Sequence, residues 1–207
     1  MIVIDVAQGT DAWYQARLGR PTGSVYSDVL AKGTGITRRK LVVKLALELV
    51  TQKPAPSIFK NQAMLDGTER EPFARALYES SRGVFVDEVG FCQHDTIFTG
   101  VSPDGLIGKD GMCEFKCPVE STHRDYMQRK DEPPEYRAQI QGQLWVAERE
   151  WCDFASYHPD YPENAQLIVR RVFRNEDYIK NLEAEIIRFN EEVLIEAESI
   201  RNYKEAA

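Results

Sequence analysis

One stretch of the sequence combines residue types and spacing that could do chemistry. It reads Ser102-Pro103-Asp104-Gly105 and, after a Gly-rich turn, Cys113-Glu114-Phe115-Lys116-Cys117-Pro118. Side chains alternate along a strand, so Glu114 and Lys116 share one face while Cys113, Phe115 and Cys117 take the other, apolar one. A carboxylate and an ammonium side by side are costly to bury unless each has a partner or a task. A hairpin between the two segments would bring Asp104 to Glu114. Two carboxylates that close repel, and a hard divalent cation relieves the repulsion. Mg2+ suits such a site because it keeps several waters and is held by one or two carboxylates plus substrate phosphate oxygens; Mn2+ is its expected substitute. Lys116 would orient or help deprotonate an attacking water, or hold the scissile phosphate. The expected reaction is phosphodiester hydrolysis by in-line attack of water, with the cation activating the water and stabilising the leaving oxygen. The plain alternative is a same-face surface salt bridge between Glu114 and Lys116, worth little. The complete unit of acid, turn, Glu-x-Lys and a following polar helix favours the nuclease reading.

The elements that must position these groups follow from period and punctuation. Residues 2–6 read as a short edge strand and 10–20 as a helix. Pro21-Thr22-Gly23-Ser24 breaks that helix, and Ser24 can cap a short helix running to about Ala31. Gly33-Thr34-Gly35 reads as a flexible turn. Thr37 opens a stronger helix that ends before Pro54 and Pro56, and 61–82 reads as helical with interruptions at Gly67 and Pro72. Residues 83–93, 97–101, 105–107 and 112–117 read as strands of a meander. Helices over 121–130 and 135–150, separated by Pro133-Pro134, precede strands at 151–158 and 166–173. The last helix, 176–203, carries an apolar stripe through Ile179, Leu182, Ile186, Phe189, Val193 and Ile200. The expected fold class is α/β, a central mixed β-sheet flanked by helices. One domain over 1–207 is expected, with a basic helical part at 10–60, a catalytic core at 61–173 and the C-terminal helix.

Composition bounds the answer. The 207 residues carry 26 Lys and Arg against 33 Asp and Glu, a formal net charge of −7, with 43% hydrophobic and 29% charged residues. That is the profile of an ordinary globular protein. No apolar run approaches the roughly 18 residues of a spanning helix. The N-terminus lacks the basic segment and cleavage site of a signal peptide. The four cysteines form no CxxC pair and no zinc spacing, so they read as reduced thiols of a cytoplasmic chain. His94, His123 and His158 show no ligand spacing, and Trp13, Trp145 and Trp151 are expected in the core. Charge is uneven: residues 12–60 hold nine basic side chains (Lys32 and Lys60 among them) against two acidic ones, and 176–207 hold nine acidic against four basic. A polyanion footprint would sit in the first stretch. With Lys116, Arg124, Arg129, Lys130 and Arg137 it would line a DNA channel under a negative exterior.

At these residues the chain resembles the PD-(D/E)XK nuclease superfamily, and more closely the lambda-type phage exonucleases, the YqaJ-like viral recombinase family. Four blocks in order carry the resemblance: Trp13-Tyr14-x-x-Arg17-Leu18-Gly19 with Thr22-Gly23-Ser24; Gly67-x-x-x-Glu71-x-x-x-Arg75; the Asp104 and Glu114–Lys116 pair; and Tyr136-x-x-Gln139-x-Gln141-x-x-x-Trp145. The resemblance implies a restriction-endonuclease-like core in which Asp104, Glu114 and the Phe115 carbonyl ligate the metal and Lys116 is the catalytic lysine. It implies Glu71 as a further acid at the metal, with Glu69 as the fallback, and Gln139 lining the site beside Tyr136. It implies Arg17 on a substrate phosphate, with Ser24 and Ser102 as hydroxyl donors. Tyr136 and Arg137 are expected on the DNA side. Each role has a plain rival: Thr68-x-x-Glu71 also matches a capping box, and Gln139 or Arg17 could be ordinary surface residues. The function implied is a 5′→3′ exonuclease that degrades one strand of linear duplex DNA, acting on double-stranded ends as a ring-shaped homotrimer. It would leave a 3′ overhang for a single-strand annealing partner in a bacterial cytoplasm, encoded by a phage or prophage. The alternatives are an endonuclease on the same core and a catalytically silent DNA-end-binding recombination protein.

Overall fold

The computed structural model describes residues 1–31, 36–55 and 62–204. Lys32, the Gly33-Thr34-Gly35 turn, Lys60 and Asn61 lie outside the described residues. In chain order the elements are β1 (Ile2–Ile4), α1 (Asp11–Ala16), α2 (Tyr26–Val29), α3 (Ile36–Thr51), α4 (Gln62–Arg82), β2 (Phe91–Gln93), β3 (Gly100–Val101), β4 (Gly105–Ile107) and β5 (Gly111–Lys116). They continue with α5 (Glu120–Gln128), α6 (Pro134–Val146), β6 (Trp151–Tyr157), β7 (Leu167–Phe173) and α7 (Glu176–Arg201).

The strands form two sheets, β1-β2-β3 and β4-β5-β6-β7. The second is mixed: β5 and β6 run parallel, and the β4–β5 and β6–β7 pairs are antiparallel. Each face of this sheet has its own core. On one face Cys113, Phe115, Ala155 and Tyr157 meet Ala74 and Tyr78 of α4. On the other Met112, Cys152, Phe154 and Val172 meet Tyr126, Ile140 and Leu144 of α5 and α6. The alternation of β5 thus sorts its residues between two helical layers, the α/β arrangement expected from the sequence. Among the described residues no helix is long and apolar enough to cross a membrane.

Four expectations need correction. The meander does not form, because β2 and β3 pair with the N-terminal β1 while β4 and β5 belong to the mixed sheet. α4 runs through Gly67 and Pro72 without a break. Proline removes one backbone donor, and a helix of 21 residues survives that loss. Gly67 faces the end of β5, where a Cβ would make only ordinary contact, 3.6 Å, with the Cys117 carbonyl oxygen. Thr68 is therefore inside the helix, which removes the capping-box reading of Glu71. Ser24 lies within a 3-10 turn, Gly23–Val25, and caps nothing.

The charge separation along the chain resolves into one interface. α3 packs on α7, where Arg38 meets Glu192 at 2.6 Å and Arg39 meets Glu196 at 2.7 Å. Two of the cations expected to face a polyanion are instead paired with the acidic helix. The α7 stripe is buried from Ile179 to Val193 as the spacing requires.

Candidate active site

Glu114 is the centre of the site. It sits on β5 at 1% exposure, on the face covered by α6. Its Oε1 accepts hydrogen bonds from Lys116 Nζ (2.5 Å) and Gln139 Nε2 (2.6 Å), and its Oε2 accepts one from Gln143 Nε2 (2.7 Å). Hydrogen bonds to an ionised group contribute about 1.5–3 kcal/mol each, so this set can hold a buried carboxylate. The surface salt bridge that the sequence left open is excluded by this burial.

Asp104 reaches Glu114 through register. Gly105 pairs with Cys113, so the preceding residue stands across from Glu114. Asp104 Oδ2 accepts the Phe115 backbone N–H at 2.6 Å, which ties the acid to the strand between Glu114 and Lys116. Burial, and then the neighbouring Glu114 charge, push the Asp104 carboxyl well above the usual carboxylate range. Burial opposes the charge on Lys116, but Glu114 and Asp104 outweigh it and hold the ammonium above the ordinary lysine value. The Lys116 ammonium also lies 5.0 Å from the centre of the Tyr136 ring, which stacks on Phe154.

Glu71 projects from α4 between two clefts. One of about 620 Å³ runs over Asp104 and is walled by residues 5–9, Trp13 and Glu71. The other, of about 410 Å³, runs over Lys116 and Tyr136 and shares Thr68 and Glu71 with the first. Glu71 stands 3.7 Å from Arg75, and burial raises its pKa against the pull of that arginine. Its carboxylate does not join Asp104 and Glu114 in a triad with ligand atoms within 4.8 Å of one another. Glu69 is exposed. The three-residue group that does meet that distance among the described residues is Glu120, His158 and Asp160, brought together past the ends of β5 and β6. His158 Nδ1 there already accepts the Asp160 backbone N–H at 3.3 Å. His158 and Asp160 are two residues apart, but nothing in the sequence signals that Glu120 joins them.

A second cluster forms beside the first cleft. Thr10 caps α1, its hydroxyl accepting the Trp13 N–H, and α1 ends at Arg17. The Trp13 ring lies 3.9 Å from the Arg17 guanidinium carbon, and its indole N–H donates to Ser102 Oγ at 2.8 Å. Arg17 donates to Thr22 Oγ1 at 2.9 Å, whereas Ser24 is exposed. Among the described residues no carboxylate lies within salt-bridge distance of Arg17, and burial lowers its pKa to about 10. A half-buried guanidinium without a counter-ion is receptive to an anion. The Thr22 segment is itself fixed: Thr99 Oγ1 donates to the Pro21 carbonyl at 2.7 Å and shares a 2.8 Å hydrogen bond with Tyr26. Tyr26 can press on α6 because residue 142 is glycine, where a Cβ would lie 2.2 Å from the tyrosine ring.

The structure thus gathers Asp104, Glu114, Lys116, Gln139 and Tyr136, with Glu71 at the rim, and separately Arg17 with Ser102. Arg137 is turned to Glu132, at 2.8 Å. The sequence assigns no role at the site to Trp13 or Thr22, and places Gln143 only on the polar helix face of Tyr136 and Gln139. Trp13 and Thr22 stand in the first family-like block.

The sequence profile of the YqaJ-like viral recombinase domain matches residues 12–150. Among solved structures, the chain is similar to an alkaline exonuclease (LHK-Exo) from Laribacter hongkongensis, with 37% identity, a TM-score of 0.86, and coverage of 93% of this chain and 96% of that one. The same exonuclease in complex with dAMP gives a TM-score of 0.87 at 37% identity, again covering 93% and 96% of the two chains. A phage-related exonuclease from Haemophilus somnus shares the fold, at 13% identity and a TM-score of 0.72 over 88% of this chain and 95% of that one. No curated protein sequence matches the chain.

Proposed function

The chain belongs to the YqaJ-like viral recombinase family, and on that premise we propose that it is a divalent-cation-dependent deoxyribonuclease. It digests one strand of linear duplex DNA from the 5′ end and leaves a 3′ overhang. The observation that carries the reading is the buried Glu114–Lys116 pair with Asp104 opposite it at the floor of a cleft. The similarity to an alkaline exonuclease supports it.

The donor set fits a hard cation. Asp104, Glu114 and the Phe115 carbonyl are all oxygen donors, and Asp104, its pKa raised by burial and then by the Glu114 charge, would be relieved by a cation. These residues would hold Mg2+, or Mn2+ in its place, with Glu71 in reach from the rim. When bound, the cation supplies Lewis-acid activation of water and stabilises charge on the phosphate. Lys116, held by Glu114, orients the attacking water or the scissile phosphate. Gln139 keeps the Glu114 carboxylate oriented, and Tyr136 walls the cleft beside Lys116. Arg17, braced by Trp13 and Thr22, grips a substrate phosphate, the terminal 5′-phosphate, with Ser102 as a second donor. Residues 1–207 act as one nuclease domain, working as a ring-shaped homotrimer in the bacterial cytoplasm and passing its 3′ overhang to a single-strand annealing protein.

Digestion of a linear duplex by the wild type and by Lys116→Ala tests the assignment. The variant is expected to lose cutting while still binding DNA. Digestion at the wild-type rate would remove Lys116, and the site, from the reaction.

A further inference from the structure

Gln143 lies one turn beyond Gln139 on α6, and the two amides take different oxygens of one carboxylate: Gln139 shares Oε1 with Lys116, and Gln143 alone holds Oε2. Gln143 is 1% exposed, and its neighbours Ile140 and Leu144 are fully buried and apolar. Its own carbonyl Oε1 is buried with no hydrogen-bond donor among the described residues. The amide cannot be turned to relieve this, because its carbonyl would then face the Glu114 carboxylate, acceptor against acceptor. A half-satisfied amide costs free energy that a methionine or leucine of similar volume would not. That cost is offset only through the amide N–H on the buried Glu114 Oε2, so whatever the glutamine contributes runs through that carboxylate.

We propose that Gln143 is a positioning residue for Glu114. It holds Oε2 so that the carboxylate presents Oε1 to Lys116 and Gln139 in one fixed orientation. A neutral donor suits this task, since a lysine or arginine on Oε2 would cancel charge that the carboxylate needs for a cation. Gly23 lies beside both glutamine stems: a Cβ there would reach ordinary contact, 3.7 Å, with the Cγ atoms of Gln139 and Gln143. The Thr22-Gly23-Ser24 turn, which also carries the hydroxyl on Arg17, thus neighbours the groups that orient Glu114. Gln143 touches no surface that DNA could reach, so its effect runs through Glu114.

The inference rests on the active-site reading of Glu114, and the experiment separates the two. Mn2+ binding is measured by calorimetry, and folding by thermal melting, for the wild type, Gln143→Met, Gln143→Asn and Glu114→Gln. Gln143→Met is expected to stay folded but melt below the wild type, because Oε2 of the buried carboxylate loses its donor, to bind Mn2+ about 10-fold more weakly, and to lower kcat on linear duplex with KM unchanged. Gln143→Asn, one methylene short of Oε2, keeps a polar side chain and is expected to show the same loss. A folded Gln143 variant that binds Mn2+ within about twofold of the wild type, while Glu114→Gln has lost binding and digestion, overturns the positioning role alone. Glu114→Gln that retains both overturns the reading on which the role rests.

Discussion

Replacing Asp104 by asparagine should make the cation-free protein more stable and abolish its response to a divalent cation. Burial and Glu114 raise the Asp104 pKa in the folded chain. Unfolded, the same group ionises at its ordinary value. Between those two values the folded state binds the extra proton, so stability falls as pH rises through the window and stays lower above it. The asparagine has no charge to lose, and its side-chain carbonyl can still accept the Phe115 N–H. Asp104→Asn should therefore melt higher than the wild type at neutral pH without cation, and the advantage should vanish toward the ordinary aspartate range. In the wild type, a cation at about 100 times its Kd adds about 2.7 kcal/mol. At about 2–4 °C per kcal/mol for a domain this size, its melting temperature should rise about 5–11 °C. The assay is thermal melting with EDTA and with Mg2+ or Mn2+ at pH 7 and at pH 4.5. A variant that shows the wild-type rise with cation, or that melts lower than the wild type at neutral pH without it, would refute the reasoning.

Arg17→Ala removes a charge-assisted contact of about 1.5–3 kcal/mol, so discrimination between 5′-phosphate and 5′-hydroxyl ends should fall about 10- to 150-fold; unchanged discrimination would take Arg17 away from the terminal phosphate. Tyr78→Phe deletes the 2.7 Å hydrogen bond to Asp153 but leaves Arg171 on that carboxylate. Urea denaturation should show a loss of about 1.5–3 kcal/mol with digestion unaltered. Because Arg38 and Arg39 are tied to α7, changing both to alanine should leave the salt dependence of DNA affinity alone. A log–log slope shallower by about 2 would mean that both contact phosphates.

The parts of this arrangement written in local sequence were legible. The α7 stripe repeats at helical steps, and the β4–β5 hairpin is announced by its turn and by alternation, so the neighbourhood of Asp104 and Glu114 followed without tertiary information. What stayed hidden depends on partners far along the chain. β2 pairs with a strand nearly ninety residues earlier, and nothing near Phe91 states that preference, so the strands were grouped by proximity. The basic α3 and acidic α7 looked like separate surfaces because only packing reveals that they neutralise each other. Trp13 was expected in the core on residue type. Its indole N–H on Ser102 and its ring against Arg17 become visible only when residues 13, 17 and 102 are in one place. Gln143 shows the opposite case, since its spacing from Gln139 was readable but not its burial.

The measurement that tests the central claim most directly is digestion of a long linear duplex labelled separately at its 5′ and 3′ ends, in Mg2+ and in EDTA, beside a closed circle of the same sequence. Early release of the 5′ label in Mg2+ alone, with the circle intact, is the predicted result. Cutting of the circle, early release of the 3′ label, or digestion that persists in EDTA would contradict it.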